Sequence, residues 1–262
     1  MIHMSRIQNI FNQKKQNVLN VYFTAGYPQL TDTLPVMKSL ALSGVDLIEI
    51  GMPYSDPLAD GPVIQDSSSK ALLNGMSIQA LFKQLEGFRK DHDLANVGVV
   101  LMGYMNPVLQ YGFEKFCTDA ASVGVDGLII PDLPEYEFEE VYGSIIKKHG
   151  LDFIFLVTPE TTEERVHKLD ALSTGFLYAV SSSATTGGDK DFTAVETYLQ
   201  KLQQMDLNNP VLVGFGIKDK TTFHSACKHA NGAIIGSAFI QSLSSMNNIS
   251  TEIKDFVNKI IG

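Results

Sequence analysis

The chain has 262 residues, 44% hydrophobic and 19% charged, enough apolar material for one large α/β domain or two small ones. Its formal net charge of −9 argues against a nucleic-acid partner, because proteins that grip a phosphate backbone cluster Lys and Arg. Residues 1–16 hold Arg6, Lys14 and Lys15 but no apolar run, so neither a signal peptide nor a membrane anchor is expected there. The two cysteines, Cys117 and Cys227, match no metal or redox spacing and read as small buried or half-buried thiols in helices, which together with the N-terminus points to the cytoplasm.

The elements alternate along the chain. An extra helix precedes the first strand, Val18–Phe23, and a helix follows over Thr31–Ser43, with Leu34, Met37, Leu40 and Ala41 at helical spacing and Gly44 as its stop. The second strand, Val45–Ile50, is followed after a long loop by a helix over Ile78–Phe88. Strands Val97–Met102 and Gly127–Ile130 flank a helix over Glu114–Val123, and Glu135–His149 is the next helix. Strand Phe153–Val157, helix Glu163–Leu172 and strand Phe176–Val180 continue the alternation; strands Val211–Val213 and Ala233–Ile235 complete it. A short helix starting at Ser237 and a final one over Ile249–Ile260 close the chain. The strands are continuous apolar runs, the mark of strands buried on both faces of a parallel sheet. Eight such units without a linker predict one domain over residues 1–262, a (β/α)8 barrel with an N-terminal extra helix and a short phosphate-site helix after strand eight; an open doubly wound sheet is the alternative.

In a barrel of this kind, functional side chains belong at the carboxyl ends of the strands and in the loops that follow. Glu49 sits inside the second strand, on the same side as Leu47 and opposite Asp46, Ile48 and Ile50. A carboxylate there is costly unless it is solvated or paired, and partial desolvation would raise its pKa toward the range useful for proton transfer. No basic residue lies nearby in sequence, which favours function; pairing with a distant one is the alternative. The loop after it carries Asp56 and Asp60 among Pro53, Pro57, Gly61 and Pro62; either Asp serves an acid/base pair with Glu49 or merely forms a turn or N-cap.

Glycines after strands seven and eight, in Val213–Ile217 and Ile235–Ala238, would let backbone N–H groups approach an anion, and Ser237 starts a helix whose N-terminus favours phosphate. Each cluster alone could be a tight turn; the pair matches the recurrent phosphate site of such barrels. Residues Ser181–Lys190, small and polar, read as a mobile lid or as an ordinary surface loop. No strand end carries a Lys placed for an imine, since Lys190 and Lys218 lie in loops, and the six histidines form no convincing metal cluster. A carboxylate-driven reaction without metal or imine remains.

The run Glu49–Pro62 closely resembles the signature of the tryptophan synthase α-subunit family, as do Thr24–Pro28, Met102–Pro107 and Pro131–Pro134, and the resemblance extends over nearly the whole chain. It implies retro-aldol cleavage of indole-3-glycerol phosphate to indole and glyceraldehyde 3-phosphate. Glu49 would be the general acid/base and Asp60 the acceptor of the indole N–H. Tyr22, Ile64, Met102, Tyr104, Ile129, Tyr178 and Ile234 would surround the indole. Gly187, Phe215, Gly216, Gly236 and Ser237 would hold the phosphate, and Thr186 would meet the second loop on lid closure. The chain departs from the family in its lid, with Ser182 and Ala184 where members often carry Arg and Gly. The resemblance further implies a pyridoxal-phosphate-dependent β subunit in an α2β2 complex, with Asp56 facing it, and no cofactor in this chain. Another phosphate-binding barrel isomerase or synthase, and a non-catalytic ligand-binding activator subunit, are the rival readings.

Overall fold

The structure is a computed structural model that describes residues 4–180, 192–214, 216–246 and 248–262. Its frame is a parallel sheet of nine strands: β1 Val18–Thr24, β2 Leu47–Gly51, β3 Gly98–Met102, β4 Gly127–Ile129, β5 Asp152–Phe153, β6 Leu156–Val157, β7 Leu177–Val180, β8 Val211–Gly214 and β9 Gly232–Ile235. Spatial order is β5-β4-β3-β2-β1-β9-β8-β7-β6. The two ends of that series are two residues apart in the chain. Ile154 N–H donates to Leu128 O on one side and Tyr178 N–H to Phe155 O on the other, so residues 152–157 close the sheet into a barrel.

Side chains divide between two cores. Ile48, Ile50, Val99 and Leu101 point outward into a shell packed by helices α2 Thr33–Leu42, α4 Ile78–Leu85 and α6 Phe113–Val123. Val18, Leu47, Val100, Ile129, Ile154, Phe176, Leu212 and Ile234 point inward and fill the barrel. This is the alternation that a pleated strand imposes. The predicted extra helix is α1, Arg6–Gln13, whose Ser5 and Gln8 form a reciprocal capping box. Ile7, Ile10 and Phe11 on its apolar face join the inner core, so α1 plugs the amino-terminal end of the barrel.

The predicted fifth strand is broken. Phe153 N–H donates to Thr174 Oγ1 at 2.9 Å and Phe155 N–H to Ser173 Oγ at 3.2 Å, so hydroxyls preceding β7 replace ladder partners there. The predicted helix over Glu135–His149 is α7 Glu135–Glu137 and α8 Gly143–Lys148, joined by a π-helical turn over Phe138–Tyr142. That turn seats Phe138 against Phe153 and Phe155, with ring centroids 4.7 and 5.0 Å away. Helix α4 ends before the predicted Phe88 because Gly87 adopts a left-handed conformation. Helices α3 Pro62–Leu73, α5 Met105–Tyr111 and α10 Phe192–Gln203 were not anticipated. Helices α9 Glu163–Leu172, α11 Lys220–Cys227, α12 Ser237–Leu243 and α13 Ile249–Ile261 complete the outer layer. Cys117 and Cys227 are both buried, and burial raises their thiols to about 12 and about 11.

Candidate active site

Glu49 points into the barrel from β2, beside Tyr22 of β1 and Val100 of β3 in register. It is 1% exposed. Its Oε2 accepts a hydrogen bond from Asn20 Nδ2 at 2.9 Å, while Oε1 is buried without a partner. Burial dominates its acidity and the Asp60 charge adds to it, against the Asn20 bond that favours the carboxylate; the net result is a pKa raised to about 8. The distant cation that might have paired it is not there among the described residues.

Asp60 lies on the loop between β2 and α3, partly buried. Tyr104, at the start of α5, reaches across from the end of β3. Its hydroxyl donates to Asp60 Oδ2 at 3.0 Å and accepts from Ala59 N–H at 3.0 Å. Tyr54 of the same loop stacks on the Tyr104 ring at 5.5 Å and accepts from Asn106 Nδ2 at 3.1 Å. The loop is thereby tied to the segment after β3 by three hydrogen bonds and one ring contact, and the second Asp60 oxygen has no hydrogen-bond partner among the described residues. Burial moves the Asp60 carboxyl upward and the Tyr104 bond moves it back. Asp60 is thus held by a side-chain network, whereas among the described residues Asp56 accepts a hydrogen bond only from its neighbour Ser55, at 2.5 Å.

Both carboxylates line one cavity of about 830 Å³ at the carboxyl ends of the strands. Tyr22, Ile64, Met102, Tyr178 and Ile234 line it too, so five of the predicted apolar and aromatic positions meet there. The two tyrosines fit because their hydroxyls lie over glycines: a Cβ at Gly51 would collide with the Tyr22 hydroxyl and one at Gly214 with that of Tyr178. Tyr104 stands behind Asp60 rather than in the wall, and Ile129 is packed in the inner core. At the far side, Gly214, Gly216, Ile217 and Lys218 after β8 face Gly236, Ser237 and Ala238 after β9. Gly236 precedes α12, whose first three N–H groups have no partner within the helix. Thr186, Gly187, Phe215 and the predicted lid Ser181–Lys190 lie outside the described residues.

Several lining residues were not anticipated. Thr158, Thr161 and Arg165 follow β6, and Lys218 follows β8. The same strand-end rule that singled out Glu49 and Asp60 applies to them. Asn20 was missed as well, although it is the one amide in an apolar strand.

The family profile described as the tryptophan synthase alpha chain matches residues 8–260. The tryptophan synthase alpha chain of Parabacteroides distasonis is 50% identical over 92% of this chain and 93% of its own length. That of Flavobacterium johnsoniae is 49% identical over 98% of this chain and its full length. Among solved structures, tryptophan synthase from M. tuberculosis in an aminoacrylate-bound form superposes with a TM-score of 0.85 at 31% identity, covering 98% of both chains. Tryptophan synthase subunit alpha from Legionella pneumophila superposes with a TM-score of 0.89 at 30% identity, covering 99% of this chain and 98% of that one. With its barrel, its cavity and its sequence in agreement over nearly full length, the chain belongs to the tryptophan synthase alpha chain family, the lyases that cleave indole-3-glycerol phosphate.

Proposed function

We propose that the cavity carries out this cleavage with Glu49 as the general acid and base. The observation that carries the reading is a carboxyl buried in the same cavity as a second carboxylate that is oriented by a tyrosine; burial pushes its pKa up to about 8. A group poised near neutral pH can give up a proton and recover it within one turnover. Glu49 protonates the indole carbon that bears the glycerol side chain, while the indole N–H donates to Asp60, whose charge stabilises the cationic ring. The Glu49 carboxylate then takes the proton of the hydroxyl on the adjacent carbon. The C–C bond breaks, its electron pair restores the indole ring, and the hydroxyl-bearing carbon becomes the aldehyde of glyceraldehyde 3-phosphate. Atoms and charge balance, and Glu49 ends protonated as it began.

Tyr22, Tyr178 and the aliphatic side chains around them suit a flat aromatic ring. The glycine turns after β8 and β9, with Ser237 and Lys218, suit the phosphate, and the scissile bond would then lie between the two. By the family resemblance, Thr186, Gly187 and Phe215 belong to the same site.

The reading extends to a partner. The segments after β2, β3 and β4 are neighbours around the barrel, and each presents an apolar side chain to solvent: Leu58 of the β2–α3 loop at 92% exposure, Leu109 of α5 at 46% and Tyr136 of α7 at 69%. We assign this rim to the pyridoxal-phosphate-bearing β subunit, in an α2β2 assembly in the cytoplasm, with no cofactor bound by the α chain itself. The decisive experiment measures indole release from indole-3-glycerol phosphate by wild type and Glu49→Gln, with and without a β subunit. Wild type is expected to release indole faster with the partner and the variant to lose at least about a thousandfold in kcat, in line with the loss of an acid/base group. Absence of indole from wild type under both conditions would sink the lyase reading.

A further inference from the structure

Asn20 lies in the middle of β1, between the inward-facing Val18 and Tyr22, and is fully buried. The remaining inward positions around it are apolar or aromatic, and an aliphatic residue of the same size would fill the space without leaving polar atoms to satisfy. The amide instead makes one side-chain hydrogen bond, from Nδ2 to Glu49 Oε2 at 2.9 Å. Asn20 Oδ1 and Glu49 Oε1 are both buried and both lack a partner. A buried amide with a single bond is a poor structural choice, so what that bond does for the carboxyl is what distinguishes it.

We propose that Asn20 is a positioning residue for Glu49: its amide grips Oε2, fixes the carboxyl at the wall of the cavity, and leaves Oε1 as the oxygen that exchanges a proton with substrate. This rests on the acid/base reading of Glu49 given above. Tyr22 of β1, Tyr178 of β7 and Asp60 of the β2–α3 loop are the titratable groups facing Glu49, with the cations Arg165 and Lys218 at the cavity wall. Of these influences, burial and Asp60 favour the protonated form. The Asn20 N–H opposes them by stabilising the carboxylate, which keeps the proton available for transfer.

Two variants of the full chain test this. Asn20→Leu keeps the shape of the amide without its donor, and Asn20→Asp keeps the shape with an acceptor in the donor's place. Two readouts are followed: the Glu49 carboxyl titration by 13C NMR, assigned through its loss in Glu49→Gln, and the alkaline limb of the pH profile for indole release. In Asn20→Leu both midpoints are expected to rise by about one pH unit, with kcat down about tenfold at neutrality and KM within about twofold. In Asn20→Asp the carboxyl midpoint rises further, because two acids then share the site. A carboxyl midpoint that stays put or falls, in whichever of the two variants circular dichroism shows to be folded, overturns the proposal whatever happens to kcat. If wild type releases no indole, or the limb does not follow the carboxyl, the lyase reading of Glu49 falls instead, and the NMR midpoint still decides the role of Asn20.

Discussion

At the scale of single residues, Glu49 is chemistry held against stability. Its folded pKa is raised from 4.5 to about 8, so between those values the folded chain holds a proton that the unfolded chain releases. Stability from this group is complete below pH 4.5 and is lost as pH rises through 8, each pKa unit being worth roughly 1.4 kcal/mol. Glu49→Gln removes the titration while keeping the shape and a partner-capable oxygen. Its Tm should therefore match wild type near pH 5 and exceed it at pH 9, by the equivalent of a few kcal/mol on the order of magnitude. A Tm difference independent of pH would mean that the carboxyl is not titrating from a buried site. Glu49 was legible because a carboxylate in an apolar strand is an anomaly that only function or pairing explains. Asn20 is the same kind of anomaly on the neighbouring strand, and its meaning depends on which residue of β2 its side chain reaches, here Glu49, diagonal to its register partner Leu47. Register between strands is not written in either strand, which is also why the Tyr104–Asp60 bond needed the folded chain. Arg165 was hidden differently, on a helix whose pattern says nothing of a cavity beyond its first turn.

Among the elements, the tie that holds α1 in place is built around Asp126, on the turn before β4. One oxygen meets Arg6 of α1 at 2.8 Å; the other meets Arg89 at 2.6 Å and the Val99 N–H at 2.8 Å. Arg89 is the inner partner, its guanidinium lowered to about 10 by burial and bonded also to the carbonyls of Gly124, Leu94 and Val97. Removing the carboxylate strands that buried cation, so Asp126→Ala should lose about 3–5 kcal/mol in urea unfolding. Arg6 is 41% exposed, and Arg6→Met should lose about 1 kcal/mol or less. Equal losses would contradict this ordering. Elements with an apolar stripe and a capping residue could be read from sequence. Helix α3 could not, because its buried face is Ser67, Ser68 and Ala71, and Ser67 bonds Thr24 of β1 at 2.6 Å; a helix packed through serines shows no stripe. The break within residues 152–157 and the π turn at Phe138 were equally invisible, since both arise from what lies across from the segment.

For the whole molecule, the division of labour between mouth and wall is the property most open to test. Leu58 is exposed on the loop that also carries Asp60, yet it does not line the cavity. Leu58→Asp should leave indole release by the isolated chain within about twofold, since solvated surface changes seldom perturb a fold. Stimulation by a β subunit should drop by about tenfold or more, because a charge is then buried at the rim of the interface. Unchanged stimulation would move the docking surface elsewhere. The barrel itself was anticipated from alternation alone, because eight buried strands separated by helices leave few ways to satisfy every strand edge.

Helix α1 gives the molecule the plan of a cul-de-sac. With Ile7, Ile10 and Phe11 stopping the far end, a molecule admitted at the mouth meets a closed floor, so what is made inside leaves from the mouth side of the barrel. On the docking proposed above, a β subunit seated on the rim that Leu58 marks would stand between indole and the surrounding water.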